Sequence, residues 1–96
     1  MTALEVDLRV ERSIDLAVAA IDEPVHSVFS CAGVAQSEWS DLDVMLVNFV
    51  GQRHLIESLV PHMPEGTAVA TIASIGGMRW NTRVELASAM FEYVEV

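Results

Sequence analysis

The chain has 96 residues, of which 52% are hydrophobic and 20% charged, a composition typical of one small domain with a packed core. Fourteen acidic residues against five basic ones give a formal charge of −9, which argues against nucleic acid and anionic membranes as partners. The sequence has no lysine and one cysteine, which excludes a lysine Schiff base, a Walker-type phosphate loop, an internal disulfide and a cysteine-rich zinc site within these residues.

The sequence predicts no segment that targets or crosses a membrane. The longest unbroken aliphatic run covers residues 16–21, far fewer than the roughly 20 residues that span a bilayer. The first residues lack the basic and apolar stretches of a secretory leader. We therefore expect a cytoplasmic protein.

The first half of the chain predicts a strand, a helix and a second strand. Apolar and polar residues alternate over residues 4–8, as in a short strand. Apolar residues recur on one helical face over residues 11–22, and Pro24 follows them. Residues 25–31 form a β-branched and aromatic run that fits a buried strand ending before Gly33.

The second half predicts a long helix, a third strand and a last helix. The helix covers residues 41–60, and Ser40 and Asp43 have the spacing of a capping box. The third strand covers residues 67–73 and the last helix residues 82–94. Strands that alternate with helices predict βαβ units in a mostly parallel sheet, in which ligands bind beyond the carboxyl ends of the strands.

Four short motifs follow one another along these elements. They are Asp7-Leu8, Ser30-Cys31-Ala32-Gly33, Asn48 inside the long helix, and Ile72-Ala73-Ser74 before a glycine pair. In this order they resemble the middle of a short-chain dehydrogenase/reductase, whose motifs are Asp-Leu, Asn-Asn-Ala-Gly, a helical asparagine and a serine. The Cys-Ala-Gly form looks like the bacterial 3α-hydroxysteroid dehydrogenase branch.

The resemblance implies the fold and its extent. We expect one partial NAD(P)-binding domain over residues 1–96, an α/β fold with a Rossmann-like doubly wound parallel sheet in the order β-α-β-α-β-α. It would lack the first βαβ unit, with the glycine-rich turn that binds pyrophosphate, and the C-terminal part of the family. The family's Tyr-x-x-x-Lys pair cannot occur in a chain without lysine. We therefore expect a truncated or internal segment that is inactive alone.

The resemblance also implies NAD or NADP as cofactor and a small alcohol or carbonyl compound as substrate. Asp7 would accept a hydrogen bond from the adenine amino group, and Leu8 would pack against the ring. The other residues expected to bind the cofactor are Cys31, Ala32, Gly33 and Ile72. From the residues alone, an Asp7 carboxylate that caps the next helix or is simply solvated is nearly as good an interpretation.

Two residues carry the catalytic roles that the resemblance implies. Ser74 would donate a hydrogen bond to the substrate carbonyl oxygen, which gains negative charge as hydride moves. Asn48 would belong to a water-linked proton relay. The alternatives are a Ser74 hydroxyl bonded to backbone groups at a strand end, and an Asn48 that is exposed or bonds another helix, with Gln52 one turn further on the same side.

Other functions fit the sequence less well. Residues 72–76 match only part of the Gly-x-Ser-x-Gly motif of serine hydrolases, and all three histidines precede Ser74. His26 and Cys31 would face opposite sides of a strand, and His54 and His62 lie roughly 12 Å apart along a helix, so we expect no metal site. A non-catalytic interaction module remains an alternative.

The predicted sheet also has a consequence for partners. In the resembled family the strand over residues 4–8 lies at a sheet edge, beyond two strands that have no counterpart here. We therefore expect that strand to be poorly paired, an apolar strip to be exposed, and the chain to self-associate.

Overall fold

The structure is a computed structural model that describes residues 1–74, 78, 80–85 and 88–89. The elements in chain order are α1 (Glu11–Ala19), β1 (Ser27–Ser30), α2 (Asp41–Met45), a π-helical segment (Leu46–Gly51), α3 (Gln52–Leu59), a 3-10 turn (Val60–His62), β2 (Ala68–Thr71) and a second 3-10 turn (Trp80–Thr82).

The two strands of the described residues form a parallel pair. Ser27 lies opposite Ala68, and Ser30 lies opposite Thr71. The helical run from α2 to α3 connects them, as parallel strands require, because a tight turn cannot join strands that run in the same direction. The mixed α/β fold and its parallel pairing are therefore confirmed, while a larger wound sheet and the extent of the domain stay predictions.

The predicted strand over residues 4–8 is wrong. Residues 1–7 have no regular structure, and Leu8 and Arg9 form a turn that is closed by a 3.1 Å hydrogen bond from the Val10 amide to the Asp7 carbonyl. Leu4 and Val6, two of the three apolar residues of the alternating pattern, are exposed. A strand exists only through hydrogen bonds to a neighbouring strand, and no described segment pairs with this one.

The predicted helices form with somewhat different bounds. The first ends at Ala19 rather than at residue 22. The long helical run begins after Ser40, whose hydroxyl accepts a 3.1 Å hydrogen bond from the Asp43 amide as the sequence predicts. It changes to π-helical geometry over Leu46–Gly51, which the sequence did not predict, and its last predicted residue, Val60, begins the 3-10 turn.

The third predicted strand is confirmed over Ala68–Thr71. The predicted last helix is described only in part: residues 84–85 and 88–89 are helical. The rest of that prediction, like the glycine pair after Ser74, lies outside the described residues.

The core lies between α1, α3 and one face of the strand pair. Ile14 is completely buried, and Val18 and Leu59 are nearly so. The partly buried residues that pack against them are Leu8, Ile21, Val25, Val28 and Leu55. Burial of one such aliphatic side chain contributes about 1.5–3 kcal/mol, so a core this small gives modest stability.

The opposite face of the strand pair is open in the described structure. Along β1, Val28 and Ser30 turn inwards, whereas Phe29 is 75% exposed. Ile72, just beyond β2, continues the row of Ala70 beside Phe29 and is also 75% exposed, whereas Val69 lies opposite Val28 on the other face. Phe29 and Ile72 therefore leave apolar surface exposed on this face of the described strand pair.

Candidate functional site

Asn48 holds the loop that follows β1, here called the β1 loop (residues 31–35). Its side-chain oxygen accepts a 2.9 Å hydrogen bond from the Val34 amide, and its side-chain nitrogen donates a 2.9 Å hydrogen bond to the Val34 carbonyl. Both polar atoms of the Asn48 side chain are therefore bonded to the backbone N–H and C=O of a single residue, Val34, which is the way a β-strand bonds a residue of its neighbour. This contact fixes the chain just after Gly33.

Gln52 holds the start of the same loop. The buried Ser30 hydroxyl donates a hydrogen bond to the Gln52 side-chain oxygen, and the Gln52 side-chain nitrogen donates one to the Ala32 carbonyl. Gln52 lies one turn after Asn48, so the two side-chain amides lie on one side of the helical run. Together they bond every second residue from Ser30 to Val34. The sequence placed Gln52 beside Asn48 but did not reveal these contacts.

The cofactor candidates of the β1 loop lie between these attachment points. Cys31, Ala32 and Gly33 are all exposed, and the Cys31 thiol is free. A Cβ added to Gly33 would meet the Asn48 oxygen at 3.5 Å, an ordinary contact. Contacts at residues 30, 32 and 34 thus hold this segment against the helical run. Cys31, Ala32 and Gly33 nevertheless remain exposed, so a ligand could reach them.

Asp7 binds Arg9. One carboxylate oxygen accepts hydrogen bonds from the Arg9 backbone amide at 3.0 Å and from Nε at 3.1 Å, and the other accepts one from Nη2 at 3.0 Å. The hydrogen bonds from the Arg9 side chain and backbone hold the pKa of Asp7 below its ordinary value, and the Asp7 carboxylate raises the pKa of Arg9. The side chain therefore stays ionised without capping α1.

Gly51 determines where the turn before α1 lies. It is buried, and a Cβ at this position would come within 2.0 Å of the Leu8 carbonyl oxygen and 2.9 Å of the Leu8 carbonyl carbon. Real Cβ atoms do not approach backbone so closely, so only glycine permits this contact. Glycine at position 51 therefore lets the Leu8 backbone lie directly against the helical run.

The turn before α1 and the β1 loop meet at one open hollow of about 360 Å³. Its lining includes Asp7, Leu8, Val34, Trp39 and Val47. The Arg9 guanidinium lies 5.1 Å from the centre of the Trp39 ring, within cation–π range. The structure therefore brings two cofactor candidates, Asp7 and Leu8, next to the segment held by Asn48.

Ile72 and Ser74 lie at the same edge of the strand pair as the β1 loop. The Ile72 amide donates a 3.2 Å hydrogen bond to the Ser30 carbonyl and so continues the pairing by one residue. Because β1 and β2 are parallel, the segments after them leave the sheet at one edge. Ser74 is exposed there. The catalytic and cofactor roles of all these residues stay predictions.

The hollow at this edge has both apolar and hydrogen-bonding groups in its lining. Leu8 and Trp39 offer an apolar wall, and the Asp7 carboxylate offers acceptor oxygens, as an adenine ring requires. All five glycines, however, lie at residue 33 or later, and none belongs to the glycine-rich turn that holds pyrophosphate after a first strand. The lining residues therefore offer the kinds of group that contact an adenine ring, and the residues that the structure describes include no glycine-rich turn for a pyrophosphate.

Comparison with known proteins finds coniferyl-alcohol dehydrogenase of Pseudomonas sp. (strain HR199 / DSM 7063), which is 26% identical over 83 residues. The chain is similar to a dehydrogenase. The match covers 86% of this chain and 32% of that enzyme, so the chain spans about a third of the length of this relative. No protein-family model and no solved structure matches the chain. Among the described residues no helix has the length and apolarity to cross a membrane.

Proposed function

We propose that the chain is a segment of an NAD(P)-dependent short-chain oxidoreductase that interconverts an alcohol and a carbonyl by hydride transfer. The similarity to coniferyl-alcohol dehydrogenase over 86% of the chain carries this proposal. The shared edge of the β1 loop and of the segment after β2 supports it, because ligands of parallel α/β sheets bind beyond the carboxyl ends of the strands.

The bound nicotinamide would supply the hydride chemistry. In this proposal Ser74 donates a hydrogen bond to the substrate oxygen, which gains negative charge as the carbonyl is reduced. A donor already aimed at such an oxygen is worth about 10²–10³ in rate. The proton itself comes from a group outside these residues, because the family's tyrosine acts beside a lysine and the chain has none.

Asn48 acts in this proposal mainly through the β1 loop. Each side-chain polar atom of Asn48 makes one hydrogen bond to Val34, so its second N–H and its second oxygen lone pair could still bind a relay water, as could the backbone of the π-helical segment. Segments of this kind are frequent at functional sites. Asn48 therefore both holds the loop against which the cofactor lies and belongs to the segment that would carry the water.

The cofactor contacts follow the geometry of the hollow. Asp7 would accept from the adenine amino group and Leu8 would pack against the ring. Cys31, Ala32, Gly33 and Ile72 would line the path from that ring towards Ser74. The substrate would be a small alcohol or its carbonyl product.

The test begins with the DNA on either side of the coding sequence. We expect a glycine-rich Thr-Gly-x-x-x-Gly-x-Gly turn encoded upstream and a Tyr-x-x-x-Lys pair encoded downstream. The protein from the joined reading frame should oxidise alcohols with NAD or NADP, and the 96-residue chain alone should show no turnover. Absence of both motifs, or ordinary turnover by the 96 residues alone, would contradict the proposal.

In the joined protein, Ser74→Ala should lower kcat about 10²–10³-fold, because a hydrogen bond to the developing oxyanion is lost. Ser37→Ala is the matched control, since Ser37 is an exposed serine in a turn and should leave kcat unchanged. Steady-state turnover with a saturating alcohol measures both variants. Equal kcat values for the two variants would show that Ser74 has no catalytic role.

A further inference from the structure

Three side chains with metal-binding atoms meet on the surface between α1 and α3. The His54 Nε2 atom lies 2.7 Å from an Asp15 carboxylate oxygen and 3.9 Å from a Glu11 carboxylate oxygen. One ligand atom from each residue lies within 4.8 Å of the others. Glu11 and Asp15 are four residues apart on α1, so their side chains share one face of that helix.

We propose that Glu11, Asp15 and His54 bind one divalent transition-metal ion, such as Zn²⁺, which joins α1 to α3. Ligand atoms lie about 2.0–2.1 Å from zinc, so neighbouring ligand atoms at tetrahedral or octahedral angles are about 2.9–3.4 Å apart. The observed distances of 2.7 and 3.9 Å bracket this range. Rotation of the exposed Glu11 side chain would close the longer distance.

The ligand set selects the class of ion. One imidazole with two carboxylates suits zinc and its neighbours better than magnesium or calcium, which prefer oxygen ligands only. The side chains are 31%, 57% and 77% exposed for His54, Asp15 and Glu11 respectively, so water can complete the coordination. The formal charge of −9 favours a cation.

The surroundings of His54 support this site. His54 borders a hollow whose lining also includes Leu8, Ile14, Val50 and Gly51, and this apolar wall restricts where the imidazole can turn. Arg9 borders the same hollow, but its guanidinium pairs with Asp7 and Asp43. The cation that borders this hollow is therefore already engaged with other carboxylates. This inference does not depend on the proposed oxidoreductase function.

The experiment titrates the full 96-residue chain, freed of metal with a chelator, with ZnCl₂ in a calorimeter and with CoCl₂ by visible absorption. We expect one ion per chain. His54→Ala should weaken binding at least tenfold, and His62→Ala, the matched loss of an exposed imidazole, should leave it unchanged. Asp15→Asn keeps a partner for His54 but removes a carboxylate, and it should also weaken binding at least tenfold.

A second readout separates a folded site from loose binding to histidine. Zn²⁺ should raise the Tm of the parent chain and of His62→Ala, because an ion that binds only the folded state stabilises it, and should leave the Tm of His54→Ala unchanged. Equal affinity in the two histidine variants, or no binding at millimolar zinc, would overturn the proposal. His54 and Asp15 would then form only a hydrogen bond between the two helices.

Discussion

At the scale of single residues, the side chains at the candidate site hold backbone segments in place. Asn48 and Gln52 bind the β1 loop, and Asp7 binds the residue two positions after it. A ligand would therefore meet backbone whose conformation is already set. Preorganised loops of this kind reduce the ordering cost of binding.

Asn48→Ala should lower the free energy of unfolding by about 1–3 kcal/mol, because the Val34 amide and carbonyl lose both partners. Amide hydrogen exchange measured by NMR should show faster exchange at Val34 in the variant. Gln36→Ala removes an amide that bonds the exposed Asp41 side chain rather than the β1 loop, so Val34 exchange should stay as in the parent. Unchanged exchange in Asn48→Ala would contradict this role.

The ion pair of Asp7 and Arg9 predicts a pH dependence. The folded pKa of Asp7 lies below its unfolded value because Arg9 donates hydrogen bonds to it. Its contribution to stability is therefore complete above the unfolded pKa and is lost as the pH falls through the folded pKa. NMR titration of the metal-free chain should give a lower Asp7 pKa in the parent than in Arg9→Ala. Identical titration curves would show that the pair does not form in solution.

At the scale of elements, a close contact between the helical run and the turn before α1 requires a residue without a side chain. The Leu8 carbonyl lies where the Cβ of any other residue at position 51 would be. The π-helical segment ends at this residue. A glycine inside a helix lowers stability by up to about 1 kcal/mol relative to alanine. The close contact with Leu8 explains why a glycine nevertheless occupies position 51.

Gly51→Ala should therefore destabilise the chain despite its better helix propensity. Displacement of backbone by overpacking costs about 1–3 kcal/mol, more than alanine gains. Ser58→Ala, a substitution within α3 with no such backbone contact described, tests helix propensity alone and should be nearly neutral. Urea unfolding followed by circular dichroism compares the two. A more stable Gly51→Ala would show that Leu8 does not pack against the helix.

At the scale of the whole molecule, two described strands with one covered face leave apolar side chains in water. Phe29 and Ile72 are each 75% exposed on or next to the open face. Exposed apolar surface and open strand edges favour association with other polypeptide. We propose that in isolation the chain covers this face by self-association.

Phe29→Ser should raise the monomer fraction of the isolated chain in sedimentation velocity, since the largest apolar group on the open face is removed. Leu16→Ser is the control, because Leu16 is 61% exposed on α1, away from the strands. We expect the control to associate as the parent chain does. A parent chain that sediments as a monomer and melts in one sharp transition would contradict self-association.

Local patterns in the sequence predicted the elements whose formation depends on neighbours in the chain. The start of the long helix at Ser40 belongs to this group, since capping acts over a few residues. The two strands of the parallel pair were predicted from local β propensity, but they form because each pairs with the other. Residues 4–8 carry an equally regular alternation, yet they form no strand. The alternation of apolar and polar residues shows only that this segment could form a strand. Whether it does depends on a second strand that pairs with it, and the local sequence carries no information about that partner.

The sequence by itself determined the acidic charge, the absence of lysine, the alternation of helices and strands, and the order of motifs that resembles a dehydrogenase. Only the tertiary structure decided which of those residues meet. Asn48 reaches Val34 across 14 residues, Gln52 reaches Ser30 across 22, and His54 reaches Asp15 across 39. Periodicity extends over one element, whereas contacts at such separations depend on how α1 and the long helical run pack around the buried Ile14.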